Sequence, residues 1–460
     1  MARSRTTTVF ACQSCGAVSP KWLGRCPDCA EWNSYVEEVR GDRAASPALT
    51  ASTPISALDA ASEPRIATAL AGFDRVLGGG IVPGSVVLLG GEPGIGKSTL
   101  LLQVARGIAR NGGEVLYVSG EESASQVRLR GERLGIREER LLILAETDVT
   151  RVVGECEARP PAVVVVDSIQ AVRDPALSSA PGTVSQVRES ASALLRWAKN
   201  RTVPIFLIGH VTKDGSLAGP KSLEHLVDAV VTIEGERGSS RRIVRATKNR
   251  FGPVEELALY EMTGEGLSEI ANPSAALLAE RRGGVPGSAV TAAREGSRSL
   301  LVEIQALVGP PSAGSPRRVA LGIDPGRLAL LLAVLEGAGI ALSTREVFAS
   351  CAGGLDVREP ACDLAVVAAI VSSARGVPVP EGAVAFGEIG LLGEVRTVPA
   401  AASRIREAAA LGFTTVFLPA GNVADAAGFP EMSIRPVARV ADFAAEIAKG
   451  ARAEHAHRGE

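Results

Sequence analysis

The feature that most constrains the fold of this 460-residue chain is the octapeptide Gly91–Ser98, GEPGIGKS. It matches the phosphate-binding loop G-x-x-x-x-G-K-[ST] without a mismatch. In such a loop the glycines let backbone N–H groups turn around a phosphate, the lysine reaches the β- and γ-phosphate oxygens, and the hydroxyl binds Mg²⁺. VVLLG precedes the loop and STLLLQVARGIAR follows it. The pattern therefore predicts a strand, the loop, and a helix whose N-terminus faces the anion.

Two acidic segments complete the expected ATP–Mg²⁺ site. The aliphatic run Val163–Val166 ends in Asp167, which predicts Mg²⁺ ligands at Ser98 and Asp167. Glu121 follows the strand-like segment EVLYVSG and is the predicted catalytic carboxylate, with Glu122 as the alternative. An acidic helix start is the non-catalytic interpretation of both glutamates. The residues predicted to hold the nucleotide are Gly91, Glu92, Pro93, Gly94, Ile95, Gly96, Lys97, Ser98 and Thr99.

The wider pattern divides the chain into four parts. Short apolar runs alternate with helix-like segments from Ile66 to about Gly266, which predicts an α/β fold with a parallel sheet covered on both faces. No lysine occurs between Lys248 and Lys449, and the later segments, which look like strands at 299–308, 317–324 and 383–389, indicate an α+β domain. We expect a cysteine module at 1–36, an Ala-, Ser- and Pro-rich linker at 37–65, an ATPase domain at 66–270 and a third domain at 275–460.

Four of the seven cysteines form two C-x-x-C pairs near the N-terminus: Cys12 with Cys15, and Cys26 with Cys29. Two such turns supply the four thiolates of a tetrahedral zinc site, so we predict a zinc ribbon that depends on its metal for folding. A redox pair is the rival interpretation, and iron is the alternative metal.

Charge and hydropathy limit the remaining classes of function. The formal net charge is −2, so any surface for nucleic acid has to be a local patch or a ring lumen. No apolar segment follows the charged N-terminus, and the longest apolar runs are shorter than a membrane span. We therefore expect a cytoplasmic protein without a membrane partner.

The order of the four cysteines, GEPGIGKST, VVVVDS and the pentapeptide KNRFG at 248–252 resembles the bacterial RadA (Sms) family over essentially the whole chain. The resemblance implies a RecA-type core and a DNA-dependent ATPase that forms hexameric rings. It also implies a motor similar to DnaB-type helicases that processes branched recombination intermediates in DNA repair. The implied partners are single-stranded and branched DNA, and either RecA recombinase or a replication or repair protein. The implied location is the nucleoid.

The same resemblance assigns roles to single residues. Glu121 takes the place of the RecA-type catalytic glutamate, and His210, which ends the strand PIFLIGH, takes that of the γ-phosphate sensor; an ordinary edge histidine is the alternative. Lys248 and Arg250 take the places of basic residues that reach the nucleotide of a neighbouring subunit.

DNA-contact loops in this type of fold correspond here to 174–182 and 213–224. The second loop carries Lys213 and Lys221, and a plain surface loop is its alternative interpretation.

The segment 275–460 resembles the proteolytic domain of Lon proteases, most closely at VAFGEIGLLGEV. The places of Lon's serine and lysine fall on Ala361 and Ala402, and neither can perform the chemistry. We therefore expect an inactive, Lon-protease-like domain, with Pro310–Pro316 as a loop insertion and a packed Cys362. Arg317, Arg318 and Arg327 are candidate phosphate contacts, with a solvated strand edge as the alternative. The functions that compete with a DNA motor are a KaiC-like nucleotide switch and an ATP-dependent Ser–Lys protease.

Overall fold

A computed structural model describes residues 7–12, 14–40, 54, 64–209, 222–235, 239–254, 256–296, 298–311 and 314–449. It divides the chain into two compact units, Met1–Ile270 and Ala271–Glu460. Among the residues it describes, no helix is both long enough and apolar enough to cross a membrane.

The first unit begins with a small antiparallel sheet. Its strands are β1 (Thr7–Cys12), β2 (Val18–Ser19) and β3 (Tyr35–Arg40), in the order β2-β1-β3. The buried core of this ribbon consists of Cys12, Cys26 and Tyr35. A core of this size is too small to stabilise a module without a cross-link or a metal.

A nine-stranded sheet forms the rest of the first unit. Its strands are β4 (Val86–Gly91), β5 (Val115–Ser119), β6 (Leu141–Ala145), β7 (Val163–Asp167), β8 (Ile205–Ile208), β9 (Ala229–Glu234), β10 (Arg241–Asn249), β11 (Leu257–Thr263) and β12 (Gly266–Glu269). Its helices are α1 (Ala71–Val76), α2 (Lys97–Arg110), α3 (Ala124–Arg133), α4 (Val149–Ala158), α5 (Val184–Arg201) and α6 (Ser222–Leu226). The spatial order is β12-β11-β10-β9-β4-β8-β7-β5-β6.

The parallel sheet predicted from the sequence is only part of this sheet. Strands β9, β4, β8, β7, β5 and β6 pair in parallel, whereas β10, β11 and β12 extend the sheet in antiparallel fashion. The connections explain the change. Only Gly264 and Glu265 separate β11 from β12, and a two-residue link permits a hairpin but not a parallel crossover.

The central strands are buried on both faces. In β4, Val87 and Leu89 pack in one apolar cluster with α1 and α2, while Val86 and Leu88 pack in a second cluster with α4 and α5. This two-sided burial is why the strands read as continuous apolar runs rather than as alternating ones. Because β4, β5 and β7 run in the same direction, the polar ends of β5 and β7 lie at one edge of the sheet, beside the N-terminus of α2.

The second unit is built on a seven-stranded mixed sheet. Its strands are β13 (Ser288–Glu295), β14 (Arg298–Pro311), β15 (Arg318–Leu321), β16 (Arg345–Cys351), β17 (Ala383–Ala385), β20 (Thr415–Pro419) and β21 (Ser433–Val437), and a separate hairpin contains β18 (Glu388–Ile389) and β19 (Val395–Arg396). The order is β15-β16-β14-β13-β17-β20-β21. Its helices are α7 (Pro273–Leu278), α8 (Pro325–Gly337), α9 (Asp363–Arg375), α10 (Ala401–Ala410) and α11 (Val440–Lys449).

Two sequence-based expectations for this unit need correction. The segment 383–389 is not one strand, because β17 lies in the large sheet and β18 in the hairpin. The expected loop at Pro310–Pro316 begins later, because Pro310 and Pro311 still belong to β14 and Pro311 pairs with Arg345 of β16 across a register shift. Proline is tolerated at such an irregular strand end, where its missing N–H breaks no regular ladder.

Candidate nucleotide site and zinc centre

The phosphate loop connects β4 to α2. Gly94 and Gly96 have φ values of 79° and 116°, which glycine adopts without strain. A Cβ atom at Gly96 would also lie only 2.5 Å from Met262 Cε. The Lys97 side chain is 5% exposed, and its Nζ donates hydrogen bonds to the carbonyl oxygens of Gly91 at 2.8 Å and Glu92 at 2.9 Å. The loop thus curves around the ammonium group that would bind a phosphate.

The acidic end of β7 faces this lysine. Asp167 pairs in register with Ser119 at the end of β5. Burial lowers the pKa of Lys97, while the charges on Asp167 and Glu121 oppose that shift. Both carboxylates therefore lie within electrostatic range of the Lys97 ammonium. Ser98, Lys97 and Asp167 together supply the hydroxyl, cation and carboxylate that an ATP–Mg²⁺ complex requires, so these side chains fit the group.

The two candidate catalytic glutamates have different partners. Ser168 Oγ donates to Glu121 Oε1 at 2.5 Å, which holds the Glu121 carboxylate beside Asp167. Glu122 Oε1 instead accepts from Arg130 Nη2 at 2.5 Å, and its backbone N–H donates to Ser119 Oγ at 3.1 Å. The geometry brings Glu121 to the phosphate side of the sheet edge and engages Glu122 with α3.

Lys248 lies near the end of β10 and Arg250 just beyond it, and both contact residues 224–228, which span the end of α6 and its link to β9. Lys248 Nζ donates to the carbonyl oxygens of Glu224 at 2.6 Å and Val227 at 2.8 Å. Arg250 Nη1 donates to Asp228 Oδ1 at 3.1 Å. Burial lowers the pKa of Lys248, and the positive charge of Arg250 adds to the effect. Within the described ranges, neither cation hydrogen-bonds to the phosphate loop of its own chain.

Three of the predicted site residues, His210, Lys213 and Lys221, lie outside the described residues. The first predicted DNA loop, at 174–182, is described. The amide Nε2 of Gln186 donates to Ser179 O at 2.9 Å, and the Asp174 backbone N–H donates to Gln186 Oε1 at 2.8 Å. A buried glutamine at the start of α5 therefore determines the path of this loop.

The three arginines proposed as phosphate contacts differ in their availability. Arg317 is exposed and pairs with Glu346 through two hydrogen bonds of 2.8 and 3.1 Å. Arg318 donates to the carbonyl oxygens of Arg345 and Leu342. Arg327 is mostly buried, forms an ion pair with Asp363 and donates to Ile389 O at 2.8 Å. Its guanidinium holds α8, α9 and β18 together, so we do not retain it as a DNA contact.

The positions predicted to correspond to the Lon dyad have no chemically competent group. Ala361 is buried in an apolar cluster and Ala402 lies in the first turn of α10. Burial, together with the negative charge on Glu359, raises the pKa of the Cys362 thiol, so it is not a thiolate nucleophile. A buried ion pair between Arg404 and Glu359 lies in this region, and Arg404 Nη1 also donates to Ala292 O.

The four N-terminal cysteines converge as a metal site requires. All four sulfur atoms lie within 4.8 Å of one another, with 3.6 Å between the Sγ atoms of Cys12 and Cys29 and 3.5 Å between those of Cys15 and Cys26. Four thiolates around zinc, with Zn–S bonds of about 2.3 Å, are separated by about 3.8 Å, so the cluster fits Zn²⁺. The two C-x-x-C turns are alike: the Gly16 N–H donates to Cys12 O at 2.8 Å, and the Ala30 N–H donates to Cys26 O at 2.9 Å.

Two polar residues at the nucleotide site were not singled out in the sequence. Tyr117 of β5 donates from its hydroxyl to Asp167 Oδ2 at 2.5 Å. Arg242 of β10 donates from Nε to the carbonyl oxygen of Ile95, inside the phosphate loop, at 3.0 Å. A hydroxyl in the otherwise apolar run VLYV was a signal for the first. No local pattern indicates the second, because its contact spans 147 residues.

Comparison with known proteins identifies the family. A family model described as an AAA domain matches residues 54–216, and one described as a rubredoxin metal binding domain matches residues 10–37. DNA repair protein RadA of Bacillus subtilis (strain 168) is 49% identical over 430 residues, which cover 91% of this chain and 94% of that protein. The protein of the same name from Pseudomonas aeruginosa is 47% identical over 429 residues, with coverage of 91% and 94%.

Among solved structures, the RadB recombinase crystal structure is similar to part of the chain. The sequence identity is 23%, the TM-score is 0.37, and the match covers 45% of this chain and 99% of that one. The family assignment comes from the RadA relatives, whose similarity covers 91% of this chain and 94% of each relative. This chain belongs to the DNA repair protein RadA family.

Proposed function

We propose that this chain is a DNA-dependent ATPase that works as a hexameric ring motor on branched DNA intermediates of homologous recombination. The observation that carries the proposal is the attachment of Lys248 and Arg250 to residues 224–228. This segment begins at residue 224, where the loop expected to contact DNA ends. A physical link between a DNA loop and cations that act on a nucleotide is what a DNA-stimulated motor needs and what a simple nucleotide switch does not.

The hydrolytic roles follow from the contacts at the sheet edge. Lys97 would neutralise charge on the β- and γ-phosphates, and Glu121 would orient and deprotonate the attacking water. The hydrogen bond from Ser168 supports this role for Glu121, because it holds the carboxylate in one orientation next to Asp167. Mg²⁺, held through Ser98 and Asp167, would supply charge neutralisation on the phosphate oxygens. His210, as the γ-phosphate sensor, remains part of the proposal.

The finger cations would act between subunits. Lys248 and Arg250 contact no part of their own phosphate loop within the described residues, as expected for groups that serve a neighbouring site. Such a cation stabilises charge on the transferred phosphoryl group in the transition state. DNA that moves residues 224–228 would move both cations with them.

DNA would be held by several weak contacts summed over the ring. Lys213 and Lys221 are the loop candidates, and Arg317 and Arg318 are candidates in the second unit. Arg317 supports the proposal because its side chain is 70% exposed, although it pairs with the partly buried Glu346. The ribbon would contact DNA or a protein partner such as RecA recombinase. A protein with these substrates would act at the nucleoid, in the cytoplasm.

The division 1–36, 37–65, 66–270 and 275–460 also stays a proposal, with the last part an inactive protease-like domain. The burial of Ala361 and Cys362 supports the loss of proteolysis. This domain would then contribute to ring assembly and to DNA binding.

The test is ATP hydrolysis with and without single-stranded DNA, on wild type, Lys97→Ala and Lys248→Ala. We expect DNA to stimulate the wild type, Lys97→Ala to abolish all hydrolysis, and Lys248→Ala to lower the stimulated rate about a thousandfold. Lys199→Ala is the matched control, because Lys199 also pairs with Asp228, at 3.1 Å, but lies outside the finger motif. It should retain stimulation.

Three outcomes would contradict the proposal. Wild-type hydrolysis that ignores DNA would leave the nucleotide switch as the better account. Equal loss in Lys199→Ala and Lys248→Ala would mean that the charge balance around Asp228, rather than a finger, controls the rate. Cleavage of a casein substrate by the wild type would restore the protease alternative.

A further inference from the structure

Tyr117 is a polar residue in a strand whose other central residues are apolar. Its side chain is 1% exposed and packs in the cluster that contains Val115, Val165 and Leu101. Phenylalanine would fill the same space, so packing alone does not explain the hydroxyl. A buried hydroxyl costs free energy unless it is hydrogen-bonded. The site of its hydrogen bond therefore indicates its role.

The Tyr117 hydroxyl contacts one of the two predicted Mg²⁺ ligands. It donates to Asp167 Oδ2 at 2.5 Å. The phenol is the donor in this contact, because a carboxylate only accepts hydrogen bonds.

We propose that Tyr117 is a positioning residue for the Mg²⁺–ATP site, where it orients the Asp167 carboxylate toward the metal position beside Ser98. The inference rests on the proposed function for the identity of the two ligands. A carboxylate that accepts one short hydrogen bond on Oδ2 has its rotation restricted, and Oδ1 stays available for the metal or for its water. Groups that orient a ligand in this way commonly contribute tenfold to hundredfold to metal affinity or activity.

The position of Tyr117 means that its hydroxyl should affect Mg²⁺ binding rather than the catalytic step. Tyr117 lies in the apolar cluster that contains α2, and its described hydrogen bond goes to Asp167. Removing the hydroxyl should weaken the binding of Mg²⁺ and leave the catalytic step nearly unchanged once the metal saturates the site. A residue that only stabilised the core would lower the melting temperature without any change in the dependence on Mg²⁺.

The test is Tyr117→Phe, with Tyr260→Phe as the matched control. Tyr260 is a second fully buried tyrosine of the same cluster, and its hydroxyl is not bonded to Asp167. Binding of a fluorescent ATP analogue is measured against Mg²⁺ concentration, together with ATP hydrolysis and the melting temperature. For Tyr117→Phe we expect the half-saturating Mg²⁺ concentration to rise by about tenfold or more. The hydrolysis rate at saturating Mg²⁺ should stay within about threefold of wild type, because the hydroxyl would affect metal binding and not the catalytic step.

The outcomes separate this inference from the proposed function. If hydrolysis ignores DNA, the motor proposal fails, but the Mg²⁺ dependence of nucleotide binding still reports on Tyr117. An unchanged half-saturating Mg²⁺ concentration in Tyr117→Phe would overturn the inference. An equal shift in both variants would also overturn it, because general loosening of the cluster would then be the cause.

Discussion

At the scale of single residues, the neighbouring carboxylates Glu121 and Glu122 provide the clearest prediction. Glu121→Gln should lower ATP turnover by about a hundredfold to ten-thousandfold and preserve nucleotide binding, because it removes the group that would deprotonate water. Glu122→Gln should keep most of the turnover, because Glu122 pairs with Arg130 on α3. Turnover and binding of a fluorescent ATP analogue are measured for both variants.

The two variants control for each other, because each removes one negative charge from the same turn. A larger loss of turnover in Glu122→Gln than in Glu121→Gln would reverse the assignment. Loss of nucleotide binding in Glu121→Gln would indicate a role in holding the nucleotide rather than in the chemical step.

At the scale of elements, the N-terminal ribbon should fold only with its metal. Structural zinc provides about 10–16 kcal/mol of apparent binding free energy in small modules, far more than the few buried residues of this ribbon supply. Chelation, or Cys12→Ser, should release zinc and unfold the ribbon while the ATPase core stays folded. Released zinc is measured with a colorimetric indicator, and folding by tryptophan fluorescence, to which Trp22 and Trp32 of the ribbon contribute.

Cys156→Ser is the control for this experiment. Cys156 is a buried thiol of α4, packed in the ATPase core and remote in sequence from the ribbon. It should keep one zinc ion per chain. A Cys12→Ser variant that retained full zinc content would contradict the four-thiolate assignment.

At the scale of the whole molecule, the finger cations can be tested by mixing subunits. Lys97→Ala chains and Lys248→Ala chains should each be inactive alone. In mixed rings, an intact phosphate loop from a Lys248→Ala chain would meet an intact finger from a Lys97→Ala chain, so part of the DNA-stimulated hydrolysis should return. Hydrolysis is measured over a series of mixing ratios after subunit exchange.

The double variant Lys97→Ala/Lys248→Ala controls for residual activity, because adding it to either single variant restores no complete site. Absence of recovery at every ratio, in mixtures shown by labelled chains to exchange subunits, would mean that the cations act within their own chain. The trans assignment of Lys248 and Arg250 would then be wrong.

Local patterns were informative wherever the chemistry depends on neighbours in the chain. The strand, loop and helix around Gly91–Ser98 were predicted to within a residue, because the turn requires glycines and the flanking apolar runs require burial. The four cysteines converge as predicted, since each C-x-x-C turn is closed by its own backbone hydrogen bonds. The antiparallel extension β10–β12 was not predicted, because the alternation of strands and helices before it indicates only parallel strands.

By itself, the sequence determined the phosphate loop, the acidic end of β7 and the metal-binding ribbon, because each depends on residues within about twenty positions of one another. Only the tertiary structure decided that Glu121 accepts from Ser168, that Arg327 is held by Asp363, and that Tyr117 reaches Asp167. Those contacts join residues 36 to 50 positions apart. They depend on strand order and on which face of the sheet each side chain occupies, and no local pattern of residues encodes either.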